Sequence, residues 1–510
     1  MMAASILTAL LALLLCFDFA PLGVTAFSLA GLLGTRSLSQ KILGSQKSTW
    51  HEGVSVKWDV MRHQGGNSPW ITKNGGVVEG GIEPPAGCRV DQVHMVGFDA
   101  HRRALPNDNG RYNDQGMLEL YQHLQKANVT LSGDLAFVNE WNFFMADPAQ
   151  RFENLVATGP FAGTLEAFAA GVKLRTRYEH LLEEALAGNQ TSLWTCGSRR
   201  DIETAEYFGA GFFGIDWEQK ARLHVISETP DHGANTLTPG RTCRNYRYNF
   251  DEYGHDYGIR KLYEWRRAYL PPIIKRLAKQ NPNLIFTEAE VYSMQELCGF
   301  ETIAKGDSMW CDVFSHEDWE SFEYARDLLH YYRAGPGNPY SGAMGWLWLN
   351  ATAHLLRQGP AAGPLYLSFV HDGDIIPLLS ALKLFPEEPD LPATHVMHNR
   401  TWRTSDVVPM GGRLIFERLA CPGYQHCWDN ADYGYPNHLY CSPPEDEHFV
   451  RINVNDGIVA LPGCDGGPGS SCPLDDFVAM VKRRGTEVGG FREVCGLEKD
   501  GAEGIEFLHQ

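Results

Sequence analysis

The sequence predicts an α/β protein, a central sheet flanked by helices with a smaller, mostly helical domain inserted into it. Short apolar runs at residues 93–97 and 365–370 lack a helical period and read as buried strands. Helical patterns crowd residues 215–345, while strand signals lie on both sides of that span. A hydrophobic fraction of 44% with 13 Trp provides a large core for 510 residues, a length that suits two or three domains.

In chain order, residues 5–15 form an apolar run too short to span a bilayer, followed by Val24-Thr25-Ala26. Residues 1–26 therefore read as a signal peptide, cleaved before Phe27. Residues 27–87 are rich in Gly, Ser and Pro and read as an extended arm. Residues 88–214 plus 346–510 form the α/β body, and 215–345 the helical insertion. Helices are expected at 114–127, 162–187, 257–279, 316–332 and 341–357. Pro271-Pro272 should kink or break the third of these. Ser315 and Asp318 form a capping box at the start of the fourth. The fifth holds Asn350, His354 and Arg357, so it reads as a buried helix rather than a membrane span. Beyond residue 400, strands are expected at 411–418 and 449–454.

The charge balance is acidic, 44 basic against 62 acidic residues for a net −18. Such a surface repels a phosphate backbone, and no basic patch offsets it, so nucleic acid is excluded as a partner. Sequons at Asn128, Asn189, Asn350 and Asn399 agree with the leader in placing the chain outside the cell. No membrane partner is expected once the leader is removed. Eleven cysteines remain beyond Cys16, and no Cys-x2-Cys pair occurs, so structural disulfides are expected rather than zinc. Cys464 and Cys472 bracket a Gly/Pro-rich stretch that can close a tight loop.

Four stretches carry candidate chemistry. Residues 209–214 fit Gly-x-Gly-x-x-Gly, but they close a helix where a dinucleotide site would open one, so they read as a C-cap with close backbone packing. His371-Asp372-Gly373-Asp374 follows a buried strand, where ligands gather in α/β sheets. There a neutral His371 can position an oxyanion and a carboxyl can deliver a proton. A metal site of His371, Asp372 and Asp374 and a plain Asp helix cap are the alternatives. Arg200 sits at a strand-to-helix turn suited to a phosphate, beside Asp201, an ordinary N-cap type. His101, flanked by Arg102 and Arg103, offers a nucleophile with guanidinium forks to stabilise a phosphoryl group.

These pieces, in this order, resemble the histidine acid phosphatase family, in its secreted acid phosphatase and phytase branch. The resemblance runs from about residue 60 through Gly65-Gly66-Asn67, Cys88-Arg89-Val90-Asp91, Gly133-Asp134-Leu135 and Ile202-Glu203-Thr204-Ala205. It continues through Ala334-Gly335-Pro336-Gly337, Val408-Pro409-Met410-Gly411-Gly412 and Glu417-Arg418-Leu419-Ala420-Cys421. It implies an α/β domain plus a helical one with the site between them, and hydrolysis of phosphomonoesters, phytate among them, through a phosphohistidine. By resemblance His101 is the nucleophile, Asp372 the proton donor, and Arg200 and His371 bind phosphate, with Arg102 and Arg103 as substitutes in the first loop. The family loop reads Arg-His-Gly-x-Arg-x-Pro; counted back from Pro106, this chain has Ala100 and Ala104 at the arginine positions and Arg102 at the glycine, whereas counted forward from Gly97 it has Phe98 and Asp99 at the Arg-His pair. That departure keeps a second reading open, a non-catalytic relative that binds phosphorylated ligands. The resemblance implies no cofactor and no metal, and a small phosphomonoester as partner. It also implies the disulfides Cys88–Cys421, Cys298–Cys311, Cys464–Cys472 and Cys243–Cys495. If Cys427 pairs with Cys441, Cys196 is the thiol left over.

Overall fold

Four parallel strands lie side by side in the sheet, and one of them, Leu365–Val370, is wholly buried. The structure is a computed structural model that describes residues 58–98, 114–144, 146, 159–187, 190–249, 252–423, 427–429, 439–441, 445–498 and 502–510. The expected signal peptide 1–26 and the sequon at Asn189 lie outside the described residues. The strands are β1 (Arg89–Phe98), β2 (Thr191–Cys196), β3 (Ala221–Ile226), β4 (Leu365–Val370), β5 (Arg413–Pro422), β6 (Cys427–Asp429), β7 (Leu439–Cys441), β8 (Asp446–Val454), β9 (Gly457–Val459) and β10 (Cys472–Pro473). The main sheet runs β10-β8-β5-β1-β4-β2-β3, with β9 on β8, and β6-β7 pair separately. β1, β4, β2 and β3 are mutually parallel, and β5, β8 and β10 add an antiparallel half. Every residue of β4 is buried, which is why it reads as an unbroken apolar run: helices cover a parallel strand on both faces.

β3 corrects one expectation. It falls inside 215–345, read as helical, yet it pairs with β2 along its whole length. As an edge strand with partly exposed residues it lacks the apolar run that exposes β4 to sequence reading.

The longer helices are α1 (Asp114–Ala127), α2 (Gly163–Arg177), α3 (Glu179–Leu186), α4 (Arg199–Phe213), α5 (Tyr257–Gln280), α6 (Glu288–Lys305), α7 (His316–Arg333), α8 (Ser341–Gln358), α9 (Asp372–Ala381) and α10 (Leu474–Val488). α5 is continuous through Pro271-Pro272, against expectation. Trp265, Tyr269, Leu270, Ile273 and Leu277 are buried on both sides of the prolines, and this packing holds the helix where local propensity would end it. The stretch expected as one helix over 162–187 is two, because Tyr178 leaves helical geometry to donate its buried hydroxyl to Glu417 at 2.6 Å. The capping box of α7 at Ser315 and Asp318 forms as expected. α8 runs across residues 345 and 346, so the insertion and the body share one buried helix. Among the described residues no helix is long and apolar enough to cross a membrane.

The arm is also corrected in its described part. Gln64, Asn67 and Ser68 are buried; Gly65 N–H donates to Ser405 Oγ at 2.8 Å, and Arg326 Nε donates to the Gly65 carbonyl at 3.1 Å. Residues 209–214 end α4, with Gly214 at φ 103° as its cap. A Cβ at Gly211 would strike the Phe168 carbonyl of α2, so this glycine lets two helix backbones meet and binds no nucleotide. The four implied disulfides are present. Cys427 and Cys441 are cross-strand partners in β6-β7, and Cys196 is a free, buried cysteine.

Candidate functional site

Because β1, β4, β2 and β3 are parallel, their carboxyl ends open on one edge of the sheet. The register aligns Phe98 with Val370, Thr195 with Phe369 and Cys196 with Ile226. Three described segments therefore leave that edge side by side: Gly197 to Asp201, Ser227-Glu228, and His371 to Asp374. An α/β sheet collects ligands at such an edge, since the strands supply rigid supports and the loops supply polar groups.

His371 is the hub. Its backbone is extended as the N-cap of α9, and its N–H donates to Asp374 Oδ2 at 3.3 Å. Its ring Nδ1 lies 3.1 Å from Asp201 Oδ2 and 3.0 Å from Arg200 Nη2. Its Nε2 lies 3.3 Å from Glu228 Oε1 and 3.6 Å from Cys196 Sγ. Arg241 Nε holds the other side of Glu228, 3.4 Å from Oε2. Ser198 caps α4, so Asp201 is not its N-cap: it lies in the first turn, fully buried, with its carboxylate turned on His371.

The electrostatics follow from burial against pairing. Burial alone would push Asp201 up, but His371 and Arg200 outweigh it and keep the carboxyl below its ordinary range. Glu228 is lowered too, with His371 and Arg241 overcoming its partial burial. Burial drives the Cys196 thiol well above its usual value, with Asp201 adding to the effect. Asp372 opens α9 with Oδ1 accepting from the Gly373 N–H at 2.8 Å. The fully buried guanidinium of Arg326 lies within electrostatic reach of it, and Arg333 borders Gly373.

Asp374 also borders a small cavity, together with Val96, Met344, Trp348, Val370 and Leu378. Burial pushes its carboxyl up to about 7, with Glu228 and Asp201 adding like charge and His371 opposing. The folded protein thus holds a proton that the unfolded chain releases near 3.8. The stability this contributes is full below the lower value and is lost as pH rises through the higher one. Wild-type protein should therefore lose up to about 4 kcal/mol through this group between pH of about 4 and pH of about 8. Asp374→Asn, which keeps the acceptor for His371 N–H, should flatten that slope in thermal melts. An unchanged slope would show that Asp374 does not titrate there.

Arg200 and His371 lie 3.0 Å apart at this edge, and Asp372 follows His371 in the chain. His101, Arg102 and Arg103 lie outside the described residues. A metal set of His371, Asp372 and Asp374 is not formed: Asp372 and Asp374 are turned to backbone N–H groups, and the atoms that converge belong to Cys196, Glu228 and His371. Sequence reading missed Glu228 because β3 was missed, and missed Asp201 because an acidic residue at a helix start passes for a cap. The free thiol was foreseen; its contact with His371 was not.

The model of the histidine phosphatase superfamily (branch 2) matches residues 106–455, beginning just after the segment that holds His101. An acid phosphatase of Komagataella pastoris is 30% identical over 474 residues, 92% of this chain and 93% of that protein. A phytase of Candida albicans is 30% identical over 471 residues, 91% of this chain and 92% of that protein. The crystal structure of the phytase from D. castellii superposes with a TM-score of 0.77 at 26% identity, covering 92% of this chain and 94% of that one. With a strand edge that gathers an arginine and a His-Asp pair, and likeness over nearly its whole length, this chain belongs to branch 2 of the histidine phosphatase superfamily.

Proposed function

We propose that this phosphatase hydrolyses phosphomonoesters through a phosphohistidine on His101, with Arg200 and His371 holding the phosphate and Asp372 protonating the leaving group. The observation that carries this is the meeting of Arg200 and His371, 3.0 Å apart, with Asp372 next in the chain, at the edge where β1 ends. β1 ends at Phe98, level with Val370, and the segment carrying His101 follows it in the sequence. In the first step a nitrogen of His101 attacks phosphorus while the ester oxygen departs with a proton from Asp372. In the second, water attacks the phosphohistidine and gives its proton to the Asp372 carboxylate, which resets both groups. Arg200, with Arg102 and Arg103 in the nucleophile's loop, offsets the charge on the phosphoryl oxygens.

Two results test this. Arg200→Ala should weaken both substrate and inorganic phosphate about 10- to 100-fold, the worth of one or two charge-assisted hydrogen bonds. Equal phosphate affinity in the variant would remove Arg200 from the site. Hydrolysis should also survive chelation and decline above neutral pH, because a histidine and a protonated carboxyl do the chemistry. Abolition by a chelator would contradict the mechanism.

The substrates we propose are small phosphomonoesters, phytate included, as the names of the relatives suggest. Secretion is supported by the leader and by sequons at Asn128 and Asn399, both exposed. Asn350 is less suited, since it is half-buried within α8 and its Thr352 is fully buried.

A further inference from the structure

We infer that Cys196, Glu228 and His371 form a binding site for zinc, an inhibitory metal rather than a catalytic one. The three ligand atoms lie within 4.8 Å of one another. A tetrahedral zinc ion with Zn–N and Zn–O near 2.0 Å and Zn–S near 2.3 Å has edges of roughly 3.3 Å between N and O and roughly 3.5 Å between N and S. The corresponding separations are 3.3 Å from His371 Nε2 to Glu228 Oε1 and 3.6 Å from Nε2 to Cys196 Sγ. Both edges that run from Nε2 thus match those of a tetrahedral site. Their supports are rigid, because Cys196 ends β2, Glu228 follows β3 and His371 follows β4, three parallel strands in register.

The surroundings suit the metal as well. Asp201 Oδ2 lies 3.1 Å from His371 Nδ1, so a carboxylate stands ready to accept the Nδ1 proton when Nε2 ligates a metal. Arg241 engages Glu228 through Oε2 and leaves Oε1 toward the imidazole. A thiolate, an imidazole and a carboxylate together favour zinc over the hard cations magnesium and calcium. Binding replaces the thiol proton of Cys196, which leaves to solvent, and oxidises nothing. Occupancy takes Nε2 of His371, so zinc and a phosphate ester exclude one another there. That consequence rests on the phosphatase reading, whereas the metal binding does not.

The test uses the full-length protein and cobalt(II) as a spectroscopic substitute for zinc. Cobalt should produce a thiolate-to-metal charge-transfer band that added zinc abolishes. Cys196→Ser should lose the band, and calorimetry should show its zinc affinity reduced at least tenfold. Glu228→Gln should keep the band at saturating cobalt but bind more weakly. Asp201→Asn should bind zinc about 10- to 100-fold more weakly, as loss of a carboxylate behind a histidine ligand does. Absence of the band in the wild type would overturn the site, whatever the phosphatase activity. Zinc inhibition undiminished in Cys196→Ser would also overturn it.

Discussion

Asp372→Asn should slow hydrolysis of an alkyl phosphate by about 10²- to 10⁴-fold, the usual worth of a positioned general acid. An alkoxide leaves poorly unless it is protonated as the P–O bond breaks, and Asp372, which follows His371 at the carboxyl end of β4, is the acid proposed to protonate it. Asparagine keeps the volume and the acceptor for the Gly373 N–H, so α9 and the His371 position should survive. An aryl phosphate with a strongly acidic phenol needs little protonation, and its turnover should fall far less. This split between leaving groups is the diagnostic part of the result. If both substrates slow equally, Asp372 acts in binding or folding rather than in proton transfer.

How much of this was legible beforehand depended on how each signal is encoded. β4 is buried on both faces, so its six residues read directly as a strand, and the His-Asp pair that follows could be placed at a carboxyl end. β3 carries no such run, being an edge strand, and Glu228 stayed hidden with it. The close approach of Cys196, Asp201 and Glu228 to one imidazole is a product of the β2-β4 and β2-β3 register, which joins residues up to 175 positions apart. No local pattern announces that. Pro271-Pro272 shows the opposite case, a strong local signal overruled by tertiary packing around α5.

Ala100 and Ala104 occupy positions where the family loop has arginine, so the chemistry requires that His101 still accept the phosphoryl group with Arg102, Arg103 and Arg200 around it. Rapid acid quench during turnover of radiolabelled phosphomonoester would destroy a phosphohistidine, so the trapped enzyme should be denatured in alkali and its acid-labile label mapped by peptide. Label is expected on the peptide containing His101, and neither label nor turnover in His101→Ala. A wild-type protein that hydrolyses the ester while His101→Ala retains the same rate would contradict a phosphohistidine on His101.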